Sequence, residues 1–531
     1  MKFIYKNIIL TGFICLYTAA TCNAQSGDSI TSPADYSLLP IQYTGLQTSN
    51  PVAYIEVDRD RINGQITYNH TSGDYKYISD PRSMNSGQVA LEGFKRVNKL
   101  HFYGSFSYNI SGLKGQKWKD VLMPSQGNPF ILGDSIGGDY DNERFAIKGV
   151  MASSLNKKLK WAVAVDYNGG SSADQSDPRP RIDATRYSIY PGIMYNLLPD
   201  WSIGLDFGYE GYKEVISVTT TTKKDHNYFL FQGLGNYTIE SGISHGRQYK
   251  GTAFGSNAQI KWRKNIYENI LQLGYKSNEE KSEDGAVSES DNSSVSGSGN
   301  SNMFRSGDYK ETIYSLMNIF SVKQGQTSHI LKVNIDNNNS KGIWYDQKKI
   351  TNSNNQQIWE IYNKSVKYKN KTTKIGLDYI WLKERSGWKD YMLGVVAEFE
   401  QHKTTLLPDM HLQKYSNVNV AIKGGKTFRL PKNFQLGFDL KASYQRNLSS
   451  KADFTGLALA NLWSYPVFEY LTSDHYGGDA SFKLSKQTRM GNLPSTIYLT
   501  AGASYTKSAL DTDNFNKPDR IGIATSFGFT F

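Results

Sequence analysis

Charged side chains recur at every second position of short alternating runs, and this is where the chain could do chemistry. Arg144, Lys148, Lys261, Arg263, Lys374, Lys441 and Lys483 share faces with small and polar residues, as do Asp206, Glu210, Asp378, Glu398, Glu400, Asp439 and Asp479. Residues two apart on a strand point the same way. Such faces fit the wet lumen of a barrel, where charges are tolerated and tune which solutes pass. Mixed signs fit a ladder of salt bridges filling the lumen equally well, and the sequence leaves both readings open.

One segment is denser. Residues 111–142 hold Trp118, Asp120, Val121, Leu122, Asn128, Pro129, Phe130 and Asp134. This is too apolar for a solvated surface loop, so the segment is expected to fold into the lumen and constrict it, with Trp118, Asp120, Asn128, Pro129, Phe130 and Asp134 at the constriction. Asp134, Asp139, Asp141 and Glu143 could gather a hard cation such as Ca²⁺. Their spacing is not that of an EF-hand, and a turn with capping carboxylates is the preferred reading. No metal and no cofactor is assigned.

Other chemistries find little support. The eight histidines are scattered, with no His-x-x-x-His pair. Ser244 and His245 are adjacent, so on a strand they face opposite ways. An outer-membrane hydrolase, built on His226 or His475 at the rim, is kept as a lesser alternative to a non-enzyme. Cys15 and Cys22 are the only cysteines, and both fall in residues 1–24, which read as a secretory signal peptide cleaved near Ala24. Lys2 and Lys6 form its basic end; their removal takes the net charge from +11 to +9. On an exported chain this basic balance suggests lipopolysaccharide phosphates or an anionic ligand rather than nucleic acid. Residues 278–311, acidic and then rich in Ser, Gly and Asn, read as a mobile external loop.

The elements that must position these residues are strands. Mean hydropathy is -0.53, and past the N-terminus no apolar run is long enough for a membrane helix. Runs 100–110, 201–209, 434–444 and 495–505 alternate cleanly, while 61–70 and 475–486 are weaker; about eighteen runs can be counted, with fourteen or sixteen as the variants. Tight turns such as 98–99 and 199–200 alternate with long stretches, among them 169–185, 212–251, 339–371 and 401–415, taken as external loops. Aromatic residues near strand ends (Tyr68, Trp161, Trp201, Trp262, Trp381, Trp388) suggest interfacial girdles. The fold expected is an all-β, antiparallel, up-and-down transmembrane barrel over residues 60–531. Residues 25–59 would form a periplasmic tail or a small plug.

The chain closes on Ile521-Gly-Ile-Ala-Thr-Ser-Phe527-Gly-Phe529-Thr-Phe531. This stretch resembles the C-terminal strand by which bacterial assembly machinery recognises outer-membrane barrels, with Phe527, Phe529 and Phe531 as the signal. An even strand count makes it the neighbour of 61–70. The Asn50-Pro51 step resembles the plug region of fatty-acid-transporter barrels. Trp118-x-Asp120-Val121-Leu122, Asn128-Pro129-Phe130, Gly133-Asp134-Ser135 and Glu143-x-Phe145 are together similar to an uncharacterised Bacteroidetes-type family of outer-membrane β-barrel proteins. That resemblance implies an outer-membrane barrel assisting small-molecule uptake, beside a TonB-dependent receptor or a surface lipoprotein. A structural or surface-interaction barrel is the alternative.

Overall fold

Alternating runs pair edge to edge along the chain until the last meets the first. The computed structural model describes residues 35–222, 224–285, 303–351, 357–491 and 493–531. Its strands are β1 (Arg61–Gly73), β2 (Ser83–Val97), β3 (Leu100–Gln116), β4 (Leu132–Gly133), β5 (Gly138–Ser154), β6 (Leu159–Asp174) and β7 (Arg179–Leu198). Then come β8 (Trp201–Thr219), β9 (His226–Gly233), β10 (Asn236–Gly242), β11 (Ser244–Lys264), β12 (Tyr267–Gly285), β13 (Phe304–Gln324) and β14 (Thr327–Thr351). The last are β15 (Gln357–Arg385), β16 (Trp388–Leu406), β17 (His411–Leu430), β18 (Phe434–Asp453), β19 (His475–Met490), β20 (Leu493–Ser508) and β21 (Asp519–Thr530).

Eighteen of these form one closed antiparallel sheet; β4, β9 and β10 form a separate three-stranded sheet. Closure runs from Asn63 opposite Thr530 to Gly73 opposite Arg520. Phe531 continues it, its N–H donating to Ile62 O at 2.9 Å. The Phe529 ring lies over its partner Gly64, where a Cβ would overlap it. The expected eighteen strands and the pairing of the last with the first are therefore present.

Tight turns join strands at one end of the barrel, at residues 98–99, 199–200, 265–266, 325–326 and 386–387. Asn98, Asn265, Ser386 and Gly387 have positive φ there, the conformation that matches a two-residue turn to strand twist. Above them the outward positions are apolar: Ile203, Leu205 and Phe207 on β8, and Phe438 and Leu440 on β18, are all exposed. A continuous band of this kind requires lipid around it. Within lipid a strand has no water to bond, so a closed ladder is the only stable sheet. No helix among the described residues is long and apolar enough to cross a membrane.

The strands run much further than their apolar cores. Residues 169–174, 212–219, 244–251, 339–351, 357–371 and 401–406 belong to β6, β8, β11, β14, β15 and β16, not to loops. Past the lipid both faces turn polar, so the hydrophobic alternation fades while the hydrogen-bond ladder continues. Likewise 278–285 and 304–311 are strand, and residues 286–302 of the supposed mobile loop lie outside the described residues, as does the signal peptide expected at 1–24. Trp388 is buried rather than interfacial, while Trp201 and Trp262 pair at 6.3 Å on the outer face.

Phe531→Asp places a charge at the seam and removes the apolar end of β21. Expected is unassembled protein that loses heat-modifiable migration on gels; a variant migrating as wild type would contradict the closure described.

Candidate functional site: the occluded lumen

An 18-strand ring is wide enough to leave an aqueous channel. Here two segments fill it, one from each end. The strand that organises both is β8, whose inward face carries Asp206, Glu210 and Glu214 at four-residue steps. At about 3.4 Å per residue these lie roughly 14 Å apart along the wall.

Asp206 meets the N-terminal segment. Residues 35–59 form short helical turns, including α1 (Leu39–Gln42), and lie against the inward faces of the strands near the tight turns. Ser49 Oγ donates to Asp206 at 2.8 Å. Gln42 reaches Glu384 at 2.9 Å, and Asp35 reaches Lys483 at 3.2 Å. Thr44 bonds Glu268; Glu56 bonds Lys261 and, at 3.2 Å, Arg263. Asn50 caps the turn at Pro51 by accepting from Val52 N at 3.0 Å. Its amide donates to the carbonyls of Ile193 (3.1 Å) and Leu205 (3.4 Å). Those two residues face each other beside a gap in the β7–β8 register at Tyr190 and Pro191, and Pro191 has no N–H to give. A Cβ on Gly192 would come within 2.6 Å of Asn50 Oδ1, so glycine is required for the segment to seat.

Glu214 meets the other segment, residues 117–137, which leave β3 and return to β5. Leu122 N and Met123 N donate to Glu214 at 2.9 and 2.7 Å. Ser125 N and Oγ, at 3.1 and 2.7 Å, and Asn128 Nδ2, at 2.8 Å, donate to Glu280. Both carboxylates are 0% exposed. The segment's carbonyls are met in turn: Arg144 donates to Leu122 O at 3.3 Å, Arg186 to Met123 O at 2.7 Å, and Tyr249 to Phe130 O at 2.7 Å. Behind Tyr249, Arg247 holds Asp284 through two bonds of 2.6 and 2.7 Å. At the tip, Phe130 packs against Gly307 on β13, leaving no room for a Cβ, and Pro129 against Gly342 on β14. β14 lies eight strands round the 18-strand ring from β3, so the segment crosses the lumen to the far wall. A buried loop must have its backbone polar groups answered, and here the wall answers them.

Above the crossing, Trp118 packs with Phe229 and Phe231 of β9 and with Trp463. Phe231 and Trp463 stack at 4.6 Å. Trp463 lies just before α2 (Tyr465–Leu471), in the β18–β19 connection. On the wall at the level of Glu210, between the heights at which the two fillings are held, lies a cavity of about 240 Å³, lined by Tyr190, Glu210, Asn257, Lys276, Ser315 and Asp336 among others.

Residues 51–531 match the model of a family of unknown function, DUF6850. The chain belongs to that family. No curated protein matches it. Solved structures similar to this DUF6850 barrel include BauA, the ferric preacinetobactin receptor of Acinetobacter baumannii, at 9% identity and TM-score 0.40, covering 89% of this chain and 80% of that one. The RagAB peptide transporter is 7% identical with TM-score 0.40, covering 89% and 87%. A Pseudomonas aeruginosa FadL homologue is 10% identical with TM-score 0.33, covering 95% of each. At these values the likeness says nothing about what the DUF6850 barrel carries.

All but one of the ten leading sequence-predicted lumen residues divide into two groups. Arg144, Asp206, Glu210, Lys261 and Arg263 gather around the two fillings, with Glu210 bonded to Arg186 and, at 3.2 Å, to Lys276. Lys148, Asp378, Asp439 and Lys441 pair along the wall with Asp166 (3.6 Å), Lys423 (2.9 Å), Lys389 and Asp479 (3.3 Å). Glu398 is exposed and makes no ion pair among the described residues. Asp134 does not join Asp139, Asp141 and Glu143: it is buried and caps Ile136 N and Gly137 N at 2.7 Å each. Among the described residues no group of three or more His, Cys, Asp or Glu could hold a metal. His475 Nδ1 bonds Tyr75 OH at 2.8 Å, and the buried His226 Nε2 has no partner. His245 meets Asp284 at 3.1 Å, but Ser306 bonds that same carboxylate rather than the imidazole, so no nucleophile meets a base there.

Glu214, Glu280 and Arg247 were missed in the sequence because each lies on a strand extension read as loop, whereas Arg186 opens a run, 186–197, that was read as strand without being singled out. The available signal was parity: Glu214 with Asp206 and Glu210 on β8, Glu280 with Gln272 and Lys276 on β12, and Arg247 with Lys261 and Arg263 on β11.

Asp120 gives the crossing segment a pH dependence. It is buried beside Asp134 and bonded by Tyr140 OH. Burial, then the Asp134 charge, push its carboxyl well above the ordinary range. The seated segment therefore holds a proton that the released segment, with a carboxyl near pH 4, gives up. Seating is strongest below that pH and weakens by about 1.4 kcal/mol per unit as pH rises toward the raised value. Hydrogen exchange at residues 117–137 should accelerate with pH beyond its intrinsic rate, and Asp120→Asn should reduce that excess. Pure intrinsic pH dependence in both proteins would contradict it.

Proposed function

We propose that this protein is an outer-membrane barrel that passes a small solute through a lumen gated by residues 117–137. The observation that carries the reading is how those residues are held. They cross the lumen on hydrogen bonds to Glu214 and Glu280, with few covalent constraints beyond their two roots. Such a partition can be withdrawn as a unit without breaking the wall. Each buried carboxylate loses most of its donors when the segment leaves, keeping only Tyr212 at Glu214 and Arg186 at Glu280 on the wall, so partial seating is disfavoured. The charged cavity on the wall at the level of Glu210 suits a polar or ionic solute.

In this reading residues 35–59 act as a plug at the tight-turn end, taken as the periplasmic side. Residues 1–24 direct export, and Phe527, Phe529 and Phe531 are read by the assembly machinery. A lumen shut from both ends suits a protein that waits on a partner, and a TonB-dependent receptor or a surface lipoprotein is the partner proposed. The Bacteroidetes-type resemblance of residues 118–145 supports the same placement.

Liposome swelling tests the gate. Wild-type protein should admit small sugars slowly, and replacing residues 118–136 with a short Gly-Ser linker should speed entry at least tenfold. A correctly folded deletion variant that stays as tight as wild type would overturn the gate and favour a barrel that serves structure or surface contact.

A further inference from the structure

The outer face of the barrel carries a row of lysines that the lumen does not explain. Lys341, Lys369, Lys371, Lys403, Lys414 and Lys451 are all exposed. They lie on five consecutive strands, β14 to β18. The register sets them directly opposite one another: Lys341 faces Lys369, Lys371 faces Lys403, Lys403 faces Lys414, and Lys414 faces Lys451. Like charges directly opposed across a ladder destabilise it, and four such pairs in succession need an answer. Among the described residues none of the six makes an ion pair or side-chain hydrogen bond; only Asp453, two residues along from Lys451, feels one of them. Neighbouring strands differ. There Lys310 pairs with Glu279 at 2.9 Å and Lys250 with Glu283 at 3.7 Å.

The height of the row is fixed by the same register. Lys341 and Lys369 stand two residues higher than the other four. Two residues below Lys371, Lys403, Lys414 and Lys451 runs an uncharged polar row, Asn337, Thr373, Gln401, Ser416 and Ser449. Two residues below that, Ile335, Ile375, Phe399 and Val418 begin the apolar band. Lys371, Lys403 and Lys414, with Lys451 beside them, thus stand about 14 Å along the strands from lipid-facing side chains, and Lys341 and Lys369 about 20 Å, at the level of headgroups and just above it, on the end away from the tight turns.

We propose that this row binds the phosphates of a phosphorylated glycolipid, lipid A of the outer leaflet, along one side of the barrel. This rests on the outer-membrane reading above. A two-dimensional array of phosphates places an anion between successive lysines and turns the repulsion into attraction, which isolated ions do weakly because each must be immobilised separately. It also fixes the long-strand end as the outer one.

The test uses the full chain in phosphatidylcholine vesicles with no addition, with bisphosphorylated lipid A, with dephosphorylated lipid A, or with inorganic phosphate. Insertion is scored by flotation and heat-modifiable migration, and Tm is measured in each. Expected is a Tm raised by several degrees by bisphosphorylated lipid A alone. The K371Q/K403Q/K414Q variant should lose that shift, yet melt no lower than wild type in plain vesicles, because its repulsion is relieved. Equal shifts with dephosphorylated lipid or free phosphate, or a shift retained by the triple variant, would overturn the proposal while inserted protein leaves the membrane reading standing. Failure to insert into any vesicle would overturn both.

Discussion

The backbone hydrogen-bond ladder has to close. A strand that faces lipid on one side has no water to satisfy its edge, so the first and last strands must find each other. The β1–β21 seam, from Asn63 opposite Thr530 upward, is that closure. It fixes the strand count as even, brings the start of β1 and the end of β21 to the tight-turn side, and sets which residue of each pair faces in. The lumen charges and the outer lysine row both inherit their positions from this one register.

Closing eighteen strands leaves an interior too wide for side chains alone to fill. This chain fills it with backbone instead. Backbone brought into the lumen carries N–H and C=O groups that must be answered, and the wall answers with carboxylates toward amides and arginines toward carbonyls. Glu214 and Glu280 take donors from residues 117–137, while Arg144 and Arg186 meet its carbonyls. Asn50 does the corresponding work for the N-terminal segment, at the place where Pro191 interrupts the wall. The charges along the wall are thus mostly committed. Lys148, Asp378, Asp439 and Lys441 are paired, and at the cavity Glu210 is paired with Arg186 and Lys276.

Much of the barrel was legible because lipid imposes a pattern. Ile203, Leu205 and Phe207 must be apolar, so their strand announces itself, and the same holds at 100–110 and 434–446. Above the lipid no such demand exists. Val215 to Thr219 and the long β14–β15 hairpin keep their ladder without alternation, so strands there passed for loops. That error concealed the residues that matter most to the gate: Glu214 lay in the presumed loop 212–251 and Glu280 in the presumed mobile loop 278–311. The apolar content of residues 117–137 did betray a segment folded inward. Its partners did not show, since they depend on which strands meet across the ring.

The most direct measurement is a reversible lock on the crossing segment. Ser125 Oγ and Asn278 Nδ2 lie 2.8 Å apart, and the only native cysteines are Cys15 and Cys22. In the Ser125→Cys/Asn278→Cys variant, single-channel recordings should be silent when oxidised and show discrete openings after reduction. Equal currents in the oxidised and reduced protein would show that solutes do not pass where residues 117–137 stand, and would contradict the gate.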